Sequence, residues 1–344
     1  MEEKTVGFAI VGAGMAAEFH EKAIRANHDR GARLVAVSRQ DAAAFEATAL
    51  RFGVPCLSYQ DLLRDPQVDV VCLCTPSGLH ADQAIAAAGA GKHALVEKPL
   101  AVTLADADAM IDAFSRAGRL LGVALQRRAE PLFQKIHRAV QAGELGTLTA
   151  GSLVIPYLRD QAYYDQAAWR GTWALDGGGI LMNQGIHLID LLVWYMGDPV
   201  EIRAFAATLH RKIEIEDTAG AVLRFANGSL AGVTATTVAP PGFPHRLEIY
   251  GTRGGIQVEG ETVKQWRTAG AAISAEQGKE ADAGAGADPR AIALTGHIGL
   301  VRNFIEAIRG EESLLIDGNE GRRSLAAVLG IYRAAGLSPA ADRR

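Results

Sequence analysis

Acid–base chemistry on a small molecule could be done by two side chains of this sequence, Lys98 and His187, with Asn183 to orient the molecule. Lys98 lies in Glu97-Lys98-Pro99, directly after the apolar run HALV. A charged pair behind a buried strand is costly unless it has a use. An ammonium held there would have its pKa lowered by desolvation and by neighbouring positive charge, into the range useful for proton transfer. The alternative is a structural ion pair between Lys98 and Glu97, against which adjacent strand residues pointing to opposite faces must be set. Asn183 and His187 follow Gly177-Gly178-Gly179. If a helix starts at the triple glycine, Asn183, His187 and Asp190 fall at i, i+4 and i+7 and share one face. A histidine on so apolar a helix is, by itself, more often a hydrogen-bonded core residue than a catalyst.

A further set of residues could hold a dinucleotide. The run VGFAIV breaks into Gly12-Ala13-Gly14-Met15-Ala16-Ala17. Gly12 permits a tight strand-to-helix turn, Gly14 lets backbone N–H groups reach a pyrophosphate, and Ala17 lets the helix pack on the strand, with the phosphates beside Met15 and Ala16 at the helix N-terminus. The next strand, 33–37, ends at Ser38 and Arg39, where an acidic residue would take both ribose hydroxyls of NAD. A hydroxyl and a guanidinium suit a 2′-phosphate instead, so NADP is favoured and NAD possible, with Asp41 near enough to be the missing carboxylate. Thr75-Pro76, after the strand 68–74, should wall the cofactor, and His80 either caps the following helix or touches the ligands.

The elements that must position these residues alternate along the first third of the chain. Strand-like GFAIV, RLVAV, VDVVCLC, HALVE and LLGVAL are separated by Ala-rich helical stretches, the pattern of a doubly wound α/β sheet whose ligands bind beyond the strand ends. From Gln126 the composition changes. Later segments alternate apolar and polar residues, and Asn227-Gly228 is a strong hairpin turn. The expected fold is therefore α/β, a dinucleotide-binding Rossmann domain over 1–125 and an α+β domain with a large, mostly antiparallel sheet over 126–344. An aromatic loop, Tyr163-Tyr164 to Trp169-Arg170-Gly171-Thr172-Trp173, precedes the triple glycine. Aromatic walls with an arginine are common in sugar sites. Tyr164 and Arg170 are candidate substrate residues and Trp169 and Arg170 candidate cofactor residues, while either Trp could equally be core. The Ala/Gly-rich stretch 268–291 has little periodicity and reads as a loop.

Composition bounds the rest. The 344 residues, 49% hydrophobic with a net charge of −4, suit two globular domains without the basic excess of a nucleic-acid binder. No apolar run reaches the roughly 18 residues that would span a membrane. The first strand starts too near Met1 to follow a signal peptide, so the cytoplasm is the default compartment. Cys72 and Cys74 share a sheet face as buried structural thiols, too few ligands for a metal.

The order and spacing of GxGxxA, Thr75-Pro76, Glu97-Lys98-Pro99 and the segment from Gly177 to Asp190 resemble the Gfo/Idh/MocA family, nearly end to end. That resemblance implies that Lys98 lies beside the nicotinamide and takes part in proton transfer, often with a cis bond to proline. It implies that His187, in a D-x-G-x-H-x-x-D-like pattern, sits over the substrate carbon and assists Lys98; Glu97, Gln126 and His80 are further candidate cofactor residues. It also implies a homodimer or homotetramer built through the C-terminal sheet. Asn183 departs from the family's usual aspartate. An amide is no base, so Asn183 should orient the substrate, and the asparagine form is similar to the branch acting on nucleotide-linked amino sugars and their uronates. The activity implied is hydride transfer between nicotinamide and a secondary alcohol carbon of a sugar, polyol or nucleotide sugar. Alternatives are a glycoside-processing enzyme with transient nicotinamide redox and a non-catalytic NADP-binding sensor.

Overall fold

A computed structural model describes residues 5–268, 271–273 and 284–337. Half of the expected loop at 268–291, residues 269–270 and 274–283, lies outside the described residues, and Ala271–Ile273 within it is a short strand. The chain forms two units, Met1–Glu130 with Ala293–Arg322, and Pro131–Ile292 with Arg323–Arg344.

In the first unit six parallel strands, β1 (Val6–Val11), β2 (Ala32–Ser38), β3 (Cys56–Leu57), β4 (Val70–Leu73), β5 (His93–Val96) and β6 (Leu121–Val123), lie in the order β3-β2-β1-β4-β5-β6. β1 is buried at every residue, as a central strand covered on both faces must be. The order reverses between β1 and β4, which places a ligand crevice beyond their carboxyl ends. The crossovers are α1 (Met15–Ala26), α2 (Phe45–Phe52), α3 (Tyr59–Arg64), α4 (His80–Gly89) and α5 (Leu104–Ala117).

The expected single boundary at residue 125 is corrected by the chain's return. In the second unit α6 (Pro131–Gln141), α7 (Gln161–Asp165) and α8 (Ile186–Met196) precede α9 (Thr295–Arg309), which belongs to the first unit, and α10 (Gly318–Ala334), within which the chain passes back. The apolar face of α9, Val301, Phe304 and Ile305, completes the core around Phe8 and Ile10. Gly296 lets it approach, because a Cβ there would meet the Gln126 carbonyl oxygen at 2.5 Å. Periodicity marks an apolar helix face but not the core that receives it.

The second unit carries an eight-stranded sheet: β7 (Leu148–Pro156), β8 (Pro199–Ala207), β9 (Thr218–Phe225), β10 (Leu230–Thr236), β11 (Arg246–Gly251), β12 (Gly254–Glu259), β13 (Thr262–Thr268) and β14 (Ala271–Ile273), ordered β14-β13-β12-β11-β7-β10-β9-β8. Pairing is antiparallel except between β7 and β10. Gly228 turns the β9–β10 hairpin with φ +86°. One sheet face is core, with Leu153, Ile155, Val233 and Leu247 buried, and α8 rests on β7, where a Cβ at Gly151 would meet the Met196 sulfur at 2.6 Å. The opposite face leaves Phe205, Val222 and Leu230 exposed.

Candidate active site

In the first unit the candidate residues begin at the β1–α1 turn. Gly12 has φ +97°, and a Cβ there would press on the Cys74 carbonyl at 2.6 Å, so the turn lies close against the end of β4. Gly14 is exposed, and a Cβ added to it meets nothing within 4 Å. The protein itself does not require that glycine. It leaves a cradle at the start of α1, where Met15 and Ala16 are half-buried and no side chain caps the helix. Uncapped N–H groups with the positive end of the helix dipole fit a pyrophosphate. Ala17 is fully buried against the sheet.

At the end of β2 the expected pair separates. Ser38 is buried and its carbonyl accepts the Gly12 N–H at 2.9 Å, whereas Arg39 is exposed. The Asp41 carboxylate accepts the Ala43 N–H at 3.0 Å, capping its own turn. Of the two residues expected to meet a 2′-phosphate, Arg39 is the accessible one.

The ends of β4 and β5 are tied together by His80. Its Nδ1 lies 2.9 Å from the Pro99 carbonyl and its Nε2 3.0 Å from that of Thr75, and it is the first residue of α4, not its cap. Burial lowers its pKa. A neutral imidazole donates to one of those two carbonyls. His80 therefore shapes the Thr75-Pro76 and Lys98-Pro99 loops. The Lys98–Pro99 peptide is cis, and Lys98 is half-buried.

Glu97 turns inward. Its carboxylate pairs with the buried His20 of α1 at 2.9 Å and accepts the Lys98 backbone N–H at 3.2 Å. Burial opposes its charge, but the hydrogen bond and charge of His20, with His297 and Lys98 nearby, prevail and hold its pKa at about 2. Burial likewise opposes the charged form of His20, and Cys74, Cys72 and Glu97 overcome it, raising His20 well above the usual range. His297 of α9 stacks on Phe19 at 5.1 Å and meets His20 edge-on, and burial with the His20 charge lowers it to about 4. Glu97 is thus an anchor beneath Lys98. Gln126 is buried at the start of a short helical turn, Gln126–Ala129.

In the second unit the candidate residues begin at the triple glycine. Gly177 and Gly178 have positive φ, a Cβ at Gly178 would overlap the Tyr332 hydroxyl, and one at Gly179 the Glu216 backbone. The Glu216 carboxylate accepts the N–H groups of Gly179 (2.9 Å) and Leu181 (3.0 Å) and the Tyr332 hydroxyl (2.8 Å), capping this helix start from another segment. Burial outweighs those three donors and raises Glu216 to about 7.

The helix begins as a π turn, Ile180–Gly185, and continues as α8. From Ile180 to Val193 every residue is buried except Asn183, Gln184 and His187. The expected face is therefore corrected: Asp190 is fully buried and accepts from Ser324 of α10, and Gln184 takes its place in the polar strip. The wider π turn is the reason, since the i, i+4, i+7 rule assumes an unbroken α-helix.

Around the strip stand polar and aromatic groups. Asn183 Nδ2 donates to Asp176 at 2.7 Å, and Asp176 also accepts the Gly171 N–H at 3.0 Å. The Arg170 guanidinium lies over the Tyr163 and Trp169 rings and donates to the Tyr163 hydroxyl at 2.6 Å, to which Gln184 also donates at 3.4 Å. Tyr164, expected to meet substrate, is buried with its hydroxyl toward Thr237 at 3.4 Å. Tyr163 is the tyrosine whose hydroxyl joins the strip. Trp173 packs edge-on against Tyr332 and donates to the Glu214 carbonyl, so it is part of the packing. Sequence reading missed His20, Asp176, Gln184 and Glu216. Asp176 and Gln184 lay beside residues already singled out, but nothing in the order of residues joined His20 to Glu97 or Glu216 to the glycines.

A parallel dinucleotide-binding sheet with a lysine at a strand end, together with a second unit bearing an Asn-Gln-His strip and an aromatic arginine loop, defines a nicotinamide-dependent oxidoreductase. Residues 6–125 match the family model described as oxidoreductase family, NAD-binding Rossmann fold, and residues 133–257 that of the GFO/IDH/MocA C-terminal domain. The chain belongs to this family. It is 30% identical to 1,5-anhydro-D-fructose reductase of Ensifer adhaerens over 97% of this chain and 98% of the relative. It is 29% identical to inositol 2-dehydrogenase of Rhizobium meliloti over 75% of this chain and 76% of the relative. Its fold is similar to the WlbA dehydrogenase of Bordetella pertussis, solved with NADH and UDP-GlcNAcA, with TM-score 0.85, 33% identity and 97% of each chain covered. Levoglucosan dehydrogenase solved with NADH and levoglucosan gives TM-score 0.84 at 25% identity, covering 97% of this chain and 98% of that one. The chain is an NAD-binding dehydrogenase or reductase acting on CH–OH groups, with hydride passing between nicotinamide and a secondary alcohol carbon of a sugar, polyol or nucleotide sugar. No described helix is long and apolar enough to cross a membrane.

Proposed function

We propose that the substrate is a nucleotide-linked hexuronate and that Lys98, His187 and Asn183 act on one of its sugar hydroxyls. The observation that carries this reading is the half-buried strip Asn183, Gln184, His187 in an otherwise buried helix, beside an arginine clamped between two aromatic rings. Polar residues in such a helix are costly unless they are hydrogen-bonded, as Asn183 is to Asp176 and Gln184 to Tyr163, and their half-exposed sides leave room for a ligand. Similarity along nearly the whole chain to a dehydrogenase solved with UDP-GlcNAcA supports the same class. Arg170 offers N–H donors to the uronate carboxylate, and Asn183 orients a hydroxyl. Lys98 and His187 take the hydroxyl proton during oxidation and return it during reduction, stabilising the alkoxide charge between. The nicotinamide supplies the hydride acceptor or donor when bound, with the pyrophosphate over Gly12, Gly14, Met15 and Ala16 and the Thr75-Pro76 turn beside it.

NADP is used as well as NAD, with exposed Arg39 taking the 2′-phosphate. The exposed sheet face with Phe205, Val222 and Leu230 pairs subunits into a dimer or tetramer. Three free thiols, Cys56, Cys72 and Cys74, suit the cytoplasm.

The test follows nicotinamide absorbance in the near ultraviolet with UDP-N-acetylglucosaminuronate, levoglucosan, myo-inositol or 1,5-anhydrofructose, and NAD or NADP as cofactor. Turnover that prefers the nucleotide uronate, is lost in Lys98→Ala and loses its NADP component in Arg39→Ala is the expected result. Turnover of the free sugars and not of the nucleotide uronate overturns the substrate class.

A further inference from the structure

We propose that Asp176 is a positioning residue that fixes the side-chain amide of Asn183, so that its carbonyl oxygen is the atom held toward a substrate hydroxyl. The kinetic part of this inference rests on the function proposed above. Its structural part does not.

Asn183 carries no charge of its own, and the carboxylate it meets belongs to Asp176. Asp176 is 2% exposed. One carboxylate oxygen accepts the Gly171 N–H at 3.0 Å and the other accepts Asn183 Nδ2 at 2.7 Å. An ionised carboxylate only accepts, so the amino end of the amide is the end that faces it. Rotating the amide by a half-turn would set its oxygen against the carboxylate, two acceptors in contact in a buried place, a costly arrangement. Asp176 thereby holds the amino end of the Asn183 amide on its own side. The same carboxylate holds the backbone of Gly171, where φ is +73° and a Cβ would press on Ile213 at 2.7 Å. Asp176 thus ties the loop carrying Arg170 to the helix carrying Asn183. One buried charge sets two ligand-facing groups.

Charge exchange tests the pairing. In Asn183→Asp two carboxylates share the Asp176 contact, and one must take up a proton. The pKa of that group is raised in the folded state, so its contribution to stability is present at low pH and lost as pH rises through the folded value. Tyr163 and Tyr164 are among the titratable groups that feel Asp176, and burial raises both, Tyr164 to about 12. Neither ionises in the range used. Against the wild-type chain, Asn183→Asp should lose several degrees of Tm at about pH 8 and recover most of them at about pH 5. Asp176→Asn combined with Asn183→Asp restores one acceptor and one donor, and should follow the wild-type pH dependence.

The kinetic series uses UDP-N-acetylglucosaminuronate and NAD. Asp176→Asn, in which two amides face each other without a fixed orientation, should lower kcat about 10- to 100-fold, the scale of a misplaced group, with a smaller change in KM. The double variant presents a carboxylate oxygen where Asn183 Oδ1 stood, and should recover at least about tenfold in kcat over the worse single variant. A residue needed only for folding would give no such recovery. A double variant as impaired as the worse single variant, or an Asn183→Asp chain whose Tm tracks wild type at both pH values, overturns the proposal. Absence of wild-type turnover on this substrate would count against the proposed function alone, and the Tm series would still decide the pairing.

Discussion

Two glycine-rich turns open the two helices on which the site depends, and they keep their glycines for opposite reasons. Around Gly14 there is open space at the start of α1, where the proposed pyrophosphate would sit. Around Gly178 and Gly179 there is none, because the Tyr332 hydroxyl and the Glu216 backbone already fill it. The first turn is shaped for a ligand and the second for the protein's own packing. In sequence both read simply as glycine turns before a helix. The carboxylates nearby divide the same way: Glu97 is paired with a histidine cation and held at about 2, while Glu216 has only neutral donors and is raised to about 7.

The largest effect should come from a residue whose role is outside packing. Lys98→Ala should lower kcat about 10²- to 10⁴-fold while circular dichroism and Tm stay near wild type. A collapse of Tm would instead make Lys98 part of the scaffold. Next, Gly179→Ala should destabilise the second unit by about 3 kcal/mol, as overpacking against backbone does, seen in urea unfolding. Gly14→Ala is its counterpart. It should change unfolding free energy by less than about 0.5 kcal/mol yet weaken NADH binding about tenfold in a fluorescence titration, since the new methyl fills the cradle. Equal stability losses at Gly14 and Gly179 would erase the distinction between the turns.

The smallest effect is in pH dependence, and its sign differs between the two carboxylates. Glu97 is depressed, so its contribution is present above the ordinary value of 4.5 and is lost as pH falls toward about 2. Glu216 is raised, so its contribution is present below 4.5 and is lost as pH rises through about 7. Glu216→Gln, which cannot ionise, should remove part of the decline in Tm that wild type shows between those values. Identical slopes for variant and wild type would place the Glu216 pKa at its ordinary value.

Much of the first unit was legible because its signals are local. A wholly apolar strand followed by Gly-x-Gly and small residues specifies β1, its turn and α1 within a dozen positions, and the parallel order follows from the alternation of elements. In the second unit the hairpin at Asn227-Gly228 was equally plain. The central strand β7 was not, since Leu148 to Pro156 reaches its place only by pairing with β10 and β11, both far along the chain. Tyr163 and Tyr164 are adjacent, and which of them turns its hydroxyl toward Arg170 depends on the path of α7.

The sequence by itself determined the dinucleotide turn, the lysine at the end of β5, the triple glycine and the class of chemistry these imply, because each is written in neighbouring residues whose backbone requirements are local. The tertiary structure alone decided what those residues rest on. It brought His20 under Glu97, set Glu216 and Tyr332 against the glycines, widened the helix at Asn183 into a π turn and returned α9 to the first core. Each joins segments that are distant along the chain or breaks a helical period, and packing and buried charge, which act through space, settle both.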